Sequence, residues 1–123
     1  MPYQPRREPL ASDEVDRLVN AAESFDEKLV VFTLLDTGLR VAEFAALTKD
    51  DVQWQERRLV IFGKGGPYGK KSKRRVIPIT DRVRTLLEHV FVVRNDVGMA
   101  PRTAQRIVKR VANRANITKP VTP

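Results

Sequence analysis

The sequence predicts an α+β fold, mostly helical, with a small three-stranded antiparallel sheet. Three observations support it. Apolar residues recur at helical spacing before residue 48 and again after residue 80. Between them, residues 52–54, 58–62 and 74–79 are short and rich in β-branched or aromatic side chains, the signature of strands. No internal repeat or long heptad competes with this outline.

Taken in order, residues 1–9 hold three prolines and the adjacent Arg6 and Arg7, and read as an extended arm or linker. Ser12 is the expected N-cap of a first helix. Asp13, Glu14 and Asp16 follow in its first turn, and Val15, Leu18, Val19 and Ala22 fall at helical spacing. Asp26 begins a second helix. Its stretch 29–35 is apolar nearly all round, which places it at the centre of the core. Gly38 stops that helix, since glycine accepts the left-handed conformation a helix end requires. A third helix is expected over 40–47. The second and third strands should pair as a hairpin around the glycine-rich stretch 63–69. Thr80 caps a fourth helix, whose stripe is Val83, Leu86, Leu87, Val90 and Phe91. A loop over 95–101 leads to a last helix over 103–115, which buries Ala104, Ile107, Val108, Val111 and Ala115. Around its other side run Arg102, Arg106, Lys109, Arg110 and Arg114.

The chain has 123 residues, 41% of them hydrophobic, enough for one domain with one modest core. With no cysteine, a disulfide scaffold, a thiolate metal site and a cysteine nucleophile are excluded. One histidine argues against a His-rich metal centre, so no metal is expected. No apolar run approaches the ~20 residues of a membrane span, and no signal-peptide core is visible. The expectation is a soluble, cytoplasmic domain with no membrane partner.

The formal charge is +8, and it is unevenly spread. Residues 1–62 carry 8 basic and 12 acidic groups, whereas residues 63–123 carry 15 basic and 3 acidic ones. Such segregation points to a polyanion, with nucleic acid ahead of an anionic membrane. The stretch Gly63-Lys64-Gly65-Gly66-Pro67-Tyr68-Gly69-Lys70-Lys71 suggests a phosphate loop but fails both common patterns. A P-loop needs glycine at position 64 and Ser or Thr at 71, and both are lysine. The dinucleotide pattern needs glycine where Tyr68 stands, and no helix is predicted to follow. No nucleotide cofactor is expected. The stretch instead concentrates Lys64, Lys70, Lys71, Lys73, Arg74 and Arg75 without an acid among them, at a tip able to enter a groove.

Arg40 opens the third helix, where the macrodipole disfavours a cation by about 0.3–1 kcal/mol. Spacing alone favours an i,i+3 ion pair with Glu43, worth about 0.2–0.5 kcal/mol. An arginine fork also suits phosphate oxygens, so a phosphate-binding role stays open.

Thr37-Gly38-Leu39-Arg40-x-x-Glu43, followed by Leu47 and Asp51, then Gly63-Lys64-Gly65, then Arg75-Val76-Ile77-Pro78, resembles the catalytic domain of the tyrosine recombinase (phage integrase) family. The resemblance covers nearly the whole chain from Leu10 onward. Lys64 lies 24 residues after Arg40, a separation that suits the family. The resemblance implies that Arg40 clamps the scissile phosphate of double-stranded DNA. It implies that Lys64 is the general acid, with Lys70 and Lys71 as alternatives because the hairpin is longer than usual. Glu43 would support Arg40, while Lys73, Arg74, Arg75 and the last helix's cations would contact DNA. The family needs neither metal nor nucleotide cofactor. Its His-x-x-Arg box and nucleophilic tyrosine have no match here: His89 lacks the arginine, and Tyr3 and Tyr68 lie in the arm and the hairpin. The expectation is therefore a partial catalytic domain over 10–123, inactive and monomeric alone, from a recombinase that assembles as a tetramer on DNA. A non-enzymatic basic module binding RNA or DNA is the alternative.

Overall fold

The computed structural model describes residues 11–62 and 74–117. Helix α1 (Ser12–Ala21) is capped by Ala11 rather than Ser12. The Glu14 carboxylate accepts the Ala11 N–H at 2.8 Å, so the side chain at N3 does what a cap hydroxyl otherwise would. Helix α2 (Phe25–Thr37) likewise starts one residue before Asp26, because Ser24 Oγ accepts the Glu27 N–H at 3.2 Å. Leu29, Val30, Val31 and Thr33 of α2 are buried, and the helix packs against α1 and the three helices that follow it. This is the central position its apolar composition predicts.

Helix α3 (Val41–Ala45) is shorter than the predicted 40–47. Arg40 is its N-cap, and the chain leaves the helix at Ala46 to bury Leu47. A single 3-10 turn, Lys49–Asp51, follows, with the Asp51 carboxylate accepting the Thr48 N–H at 2.9 Å. Strands β1 (Val52–Gln53), β2 (Arg58–Phe62) and β3 (Arg74–Pro78) form an antiparallel sheet in that order. The register sets Leu59 against Ile77 and Ile61 against Arg75. Leu59, Ile61 and Ile77 join the core, while Val76 stays exposed. Trp54 falls outside β1, where the chain turns, and Ile79 outside β3, where its N–H already bonds Arg57 C=O at 3.0 Å.

Helix α4 (Asp81–Val93) is capped by Thr80 as predicted, and buries Val83, Leu87, Val90 and Phe91. Phe91 meets Trp54 edge-on, with ring centroids 6.4 Å apart. Helix α5 (Pro101–Arg114) starts earlier than residue 103, because Pro101 sits at the first position, where a missing N–H costs nothing. Its end is a Schellman turn: Asn116 takes φ +59, and Ile117 N–H reaches back to Ala112 C=O at 3.0 Å. Ile117 is buried there, and Arg17 of α1 donates to Ala115 C=O at 3.2 Å.

The closure of this bundle rests on Glu27, which is only 3% exposed. Its carboxylate accepts Arg110 Nε at 2.9 Å and a fork from Arg114 at 2.6 and 3.1 Å, and also takes the Glu23 N–H at 2.8 Å. The start of α2 is thereby bolted to the last turns of α5. The Arg114 guanidinium and the Glu23 N–H hold the Glu27 carboxyl far below the usual carboxylate range, against the opposing effect of its burial.

A lowered folded-state pKa means stability that is fully present above the unfolded value of about 4.3 and is lost as pH falls below it. Glu27→Gln should cost about 1.5–3 kcal/mol at neutral pH, the range for hydrogen bonds to a charged group. The gap to wild type should narrow in urea titrations as pH falls below about 4. A pH-independent gap would show that the hydrogen bonds, not the charge, carry the effect.

Candidate nucleic-acid interface

The turn between α2 and α3 is built from backbone requirements. Gly38 takes φ +71 and ψ 15, and its N–H closes on Leu34 C=O at 3.0 Å. Thr37 Oγ1 accepts the Leu39 N–H at 3.2 Å, and Leu39 is fully buried. One residue later the chain surfaces at Arg40. Its side chain is exposed and has no hydrogen-bond or ion-pair partner among the described residues. An anchored turn thus presents an unpaired guanidinium to solvent.

Two anchors flank this turn. On the α2 side, Asp36 accepts a bidentate fork from Arg82 at 2.6 and 2.7 Å and the Thr80 hydroxyl at 2.6 Å. Burial opposes ionisation of Asp36, but these bonds outweigh it and hold its pKa below the ordinary value. Arg82 also lies over the Phe32 ring, 4.5 Å from its centroid. On the α3 side, Glu43 Oε1 accepts both the Arg40 N–H and Arg75 NH2, each at 2.9 Å. Partial burial again opposes the charge, and the bonds from the Arg40 backbone and Arg75 prevail, lowering the Glu43 pKa. The i,i+3 ion pair expected between Arg40 and Glu43 side chains is therefore replaced. Glu43 holds the Arg40 backbone and ion-pairs with Arg75, while the Arg40 charge still favours its carboxylate form from further away.

The basic face expected on α5 divides in two. Arg102, Arg106 and Lys109 lie within about 60° of one another at 100° per residue, opposite the buried face. They are exposed, with no partner among the described residues. Arg110 and Arg114 lie further round the helix and are committed to Glu27, an engagement the sequence reading missed. Arg74 closes the last described rung of the sheet, opposite Phe62. Lys64, Lys70, Lys71 and Lys73 lie outside the described residues. His89 is exposed and packs against Phe25, ring centroids 5.0 Å apart. Among the described residues no three His, Cys, Asp or Glu side chains come together as a metal site would need.

Sequence reasoning also missed Asp36, Arg82 and Arg75 as supports of the Arg40 turn. Their partners lie 32 to 46 residues away, so no local signal reveals them. For Glu27 a signal existed: Ser24-x-x-Glu27 is a capping-box pattern, and Arg110 and Arg114 stand one helical turn apart.

A model of the phage integrase family matches residues 8–123. The tyrosine recombinase XerA of Pyrococcus horikoshii is 29% identical over 128 residues, an alignment covering 93% of this chain and 42% of that protein. The crystal structure of XerA recombinase superposes with a TM-score of 0.76 at 28% identity, covering 99% of this chain and 48% of that one. The Tn1549 transposon integrase, solved with circular intermediate DNA, shares the fold at a TM-score of 0.54 and 23% identity, covering 80% of this chain and 34% of that one. The chain thus spans less than half the length of these relatives.

A Cβ at Gly38 would meet no atom within 4 Å, so only the backbone conformation resists substitution there. Gly38→Ala should cost about 1–2 kcal/mol in urea unfolding, and Gly38→Asn less, because asparagine tolerates the left-handed region better. Equal costs would point to packing instead.

Proposed function

The chain belongs to the phage integrase family, and from that premise we propose that it is the DNA-engaging, phosphate-clamping portion of a site-specific tyrosine recombinase. The observation that carries the reading is the exposed Arg40 guanidinium, which has no hydrogen-bond or ion-pair partner among the described residues and is presented by a turn anchored on both sides. In this reading Arg40 grips the non-bridging oxygens of the scissile phosphate and neutralises the charge that develops there. Glu43 fixes the Arg40 backbone. Lys64, or Lys70 or Lys71 in its place, gives a proton to the leaving 5′ oxygen. The attacking group is a tyrosine hydroxyl, whose bond to phosphorus forms as the bond to the 5′ oxygen breaks, leaving a 3′-phosphotyrosyl link.

That tyrosine and the His-x-x-Arg box are absent from this sequence, so the chain alone should hold DNA without cutting it. Arg102, Arg106 and Lys109 then contact the duplex backbone together with the hairpin lysines and Arg74. Arg110 and Arg114, committed to Glu27, contribute to the fold first. No helix among the described residues is long and apolar enough to cross a membrane. The reading includes a cytoplasmic protein that works as a tetramer on DNA, with this chain monomeric. Residues 1–9 serve as an arm or linker to the partial domain over 10–123. The match over 8–123 favours this reading over a non-enzymatic basic module.

Two measurements test it. Binding of a DNA duplex should weaken with salt, and Arg102→Ala, Arg106→Ala and Lys109→Ala together should flatten the log–log slope by up to about 0.9 per lost contact. Lys71→Ala, Lys73→Ala and Arg74→Ala should do the same for the hairpin. An unchanged slope removes the corresponding surface from the interface. For a longer polypeptide carrying the tyrosine, a covalent adduct with nicked DNA should form and be lost on Arg40→Ala.

A further inference from the structure

Arg75 lies at a junction that the arginine box alone does not explain. It belongs to β3, paired with Ile61 of β2, one rung before Phe62 and Arg74. Those last two residues flank the segment that carries Lys64. From that position Arg75 reaches off the sheet to Glu43 of α3, whose same oxygen accepts the Arg40 N–H. A continuous chain of contacts therefore runs from the hairpin strands, through one carboxylate oxygen, to the backbone of the phosphate-facing arginine. Arg75 NH2 is already committed, and the Glu43 side chain it holds is only 22% exposed.

We propose that Arg75 is a positioning residue, which couples the DNA-binding hairpin to Arg40 through Glu43 rather than gripping a phosphate itself. The proposal rests on the reading of Arg40 as the phosphate ligand, and it revises the expectation that Arg75 is a direct DNA contact. Its physical content is pre-organisation. With Glu43 pinned by Arg75, the Arg40 N–H is held and the side chain leaves the turn from a fixed base. Without Arg75, Glu43 can swing to solvent, and the first turn of a five-residue helix loses its restraint. An ordinary exposed ion pair of this kind would leave DNA recognition unmoved.

Two readouts on this chain distinguish the cases. In amide hydrogen exchange, Arg75→Gln should speed exchange at the Arg40 N–H about fivefold or more, leaving the buried turns of α2 and α5 unchanged. Arg75→Lys, which retains the charge, should restore much of the protection. Unchanged exchange at Arg40 overturns the coupling. In DNA binding, Arg40→Gln and Arg75→Gln should each weaken affinity, and the double variant should be no weaker than Arg40→Gln alone. Multiplicative losses, with a further drop in salt slope from Arg75→Gln, would show a direct phosphate contact and overturn the proposal. If Arg40→Gln leaves binding untouched, the phosphate reading of Arg40 fails by itself, and the exchange experiment still decides the coupling.

Discussion

Helix α2 is buried on nearly every side, and that burial dictates how the rest of the fold is held. A helix with no polar face cannot be anchored from its middle, so its polar attachments are at its ends. Glu27 takes Arg110 and Arg114 from α5 at one end. Asp36 takes Arg82 and the Thr80 hydroxyl, at the start of α4, at the other. Each carboxylate is shielded enough that its partners, rather than water, satisfy it. The apolar contacts along α2 supply the burial, and the end clusters fix which helices lie beside it.

The same clusters decide which positive charges are free. Within residues 63–117 the acids are Asp81, Glu88 and Asp96, and each pairs with a nearby arginine: Arg57, Arg84 and Arg94. The acidic first half draws Arg75, Arg82, Arg110 and Arg114 inward through Glu43, Asp36 and Glu27. Among the described residues, Arg40, Arg102, Arg106 and Lys109, along with Lys28 and Lys49, are left facing solvent without a side-chain partner. The set of free cations is thus narrower than the formal charge suggests, and it is chosen by pairing as much as by position.

Much of this was legible from residue order. Helix and strand identities followed from periodicity, and the boundaries moved by one to a few residues, where caps competed. Ser12 lost to Ala11 because Glu14 reaches back, and 103 gave way to Pro101 because proline suits a first turn. The Arg40 box was visible because its members are local. What stayed hidden was the tertiary partner of each charge, the capping-box signal at Glu27 aside. Nothing in a run of basic residues on one helix distinguishes Arg106, free, from Arg110, bound to a carboxylate 83 residues away. Ladder register fixes that Arg75 sits beside Ile61, but not that its head turns to Glu43.

Trp54 adds a practical consequence. It is the chain's single tryptophan, half-buried between the sheet and α4, with Phe91 edge-on to its ring. Intrinsic fluorescence is therefore a one-site optical reporter, seated where the turn after β1 meets Phe91 of α4. It is remote in sequence from the carboxylate that joins α2 to α5. A perturbation at that carboxylate reaches the indole only by travelling through the packed core. The emission spectrum thus reads whether the domain gives way as one cooperative unit or loosens at one seam.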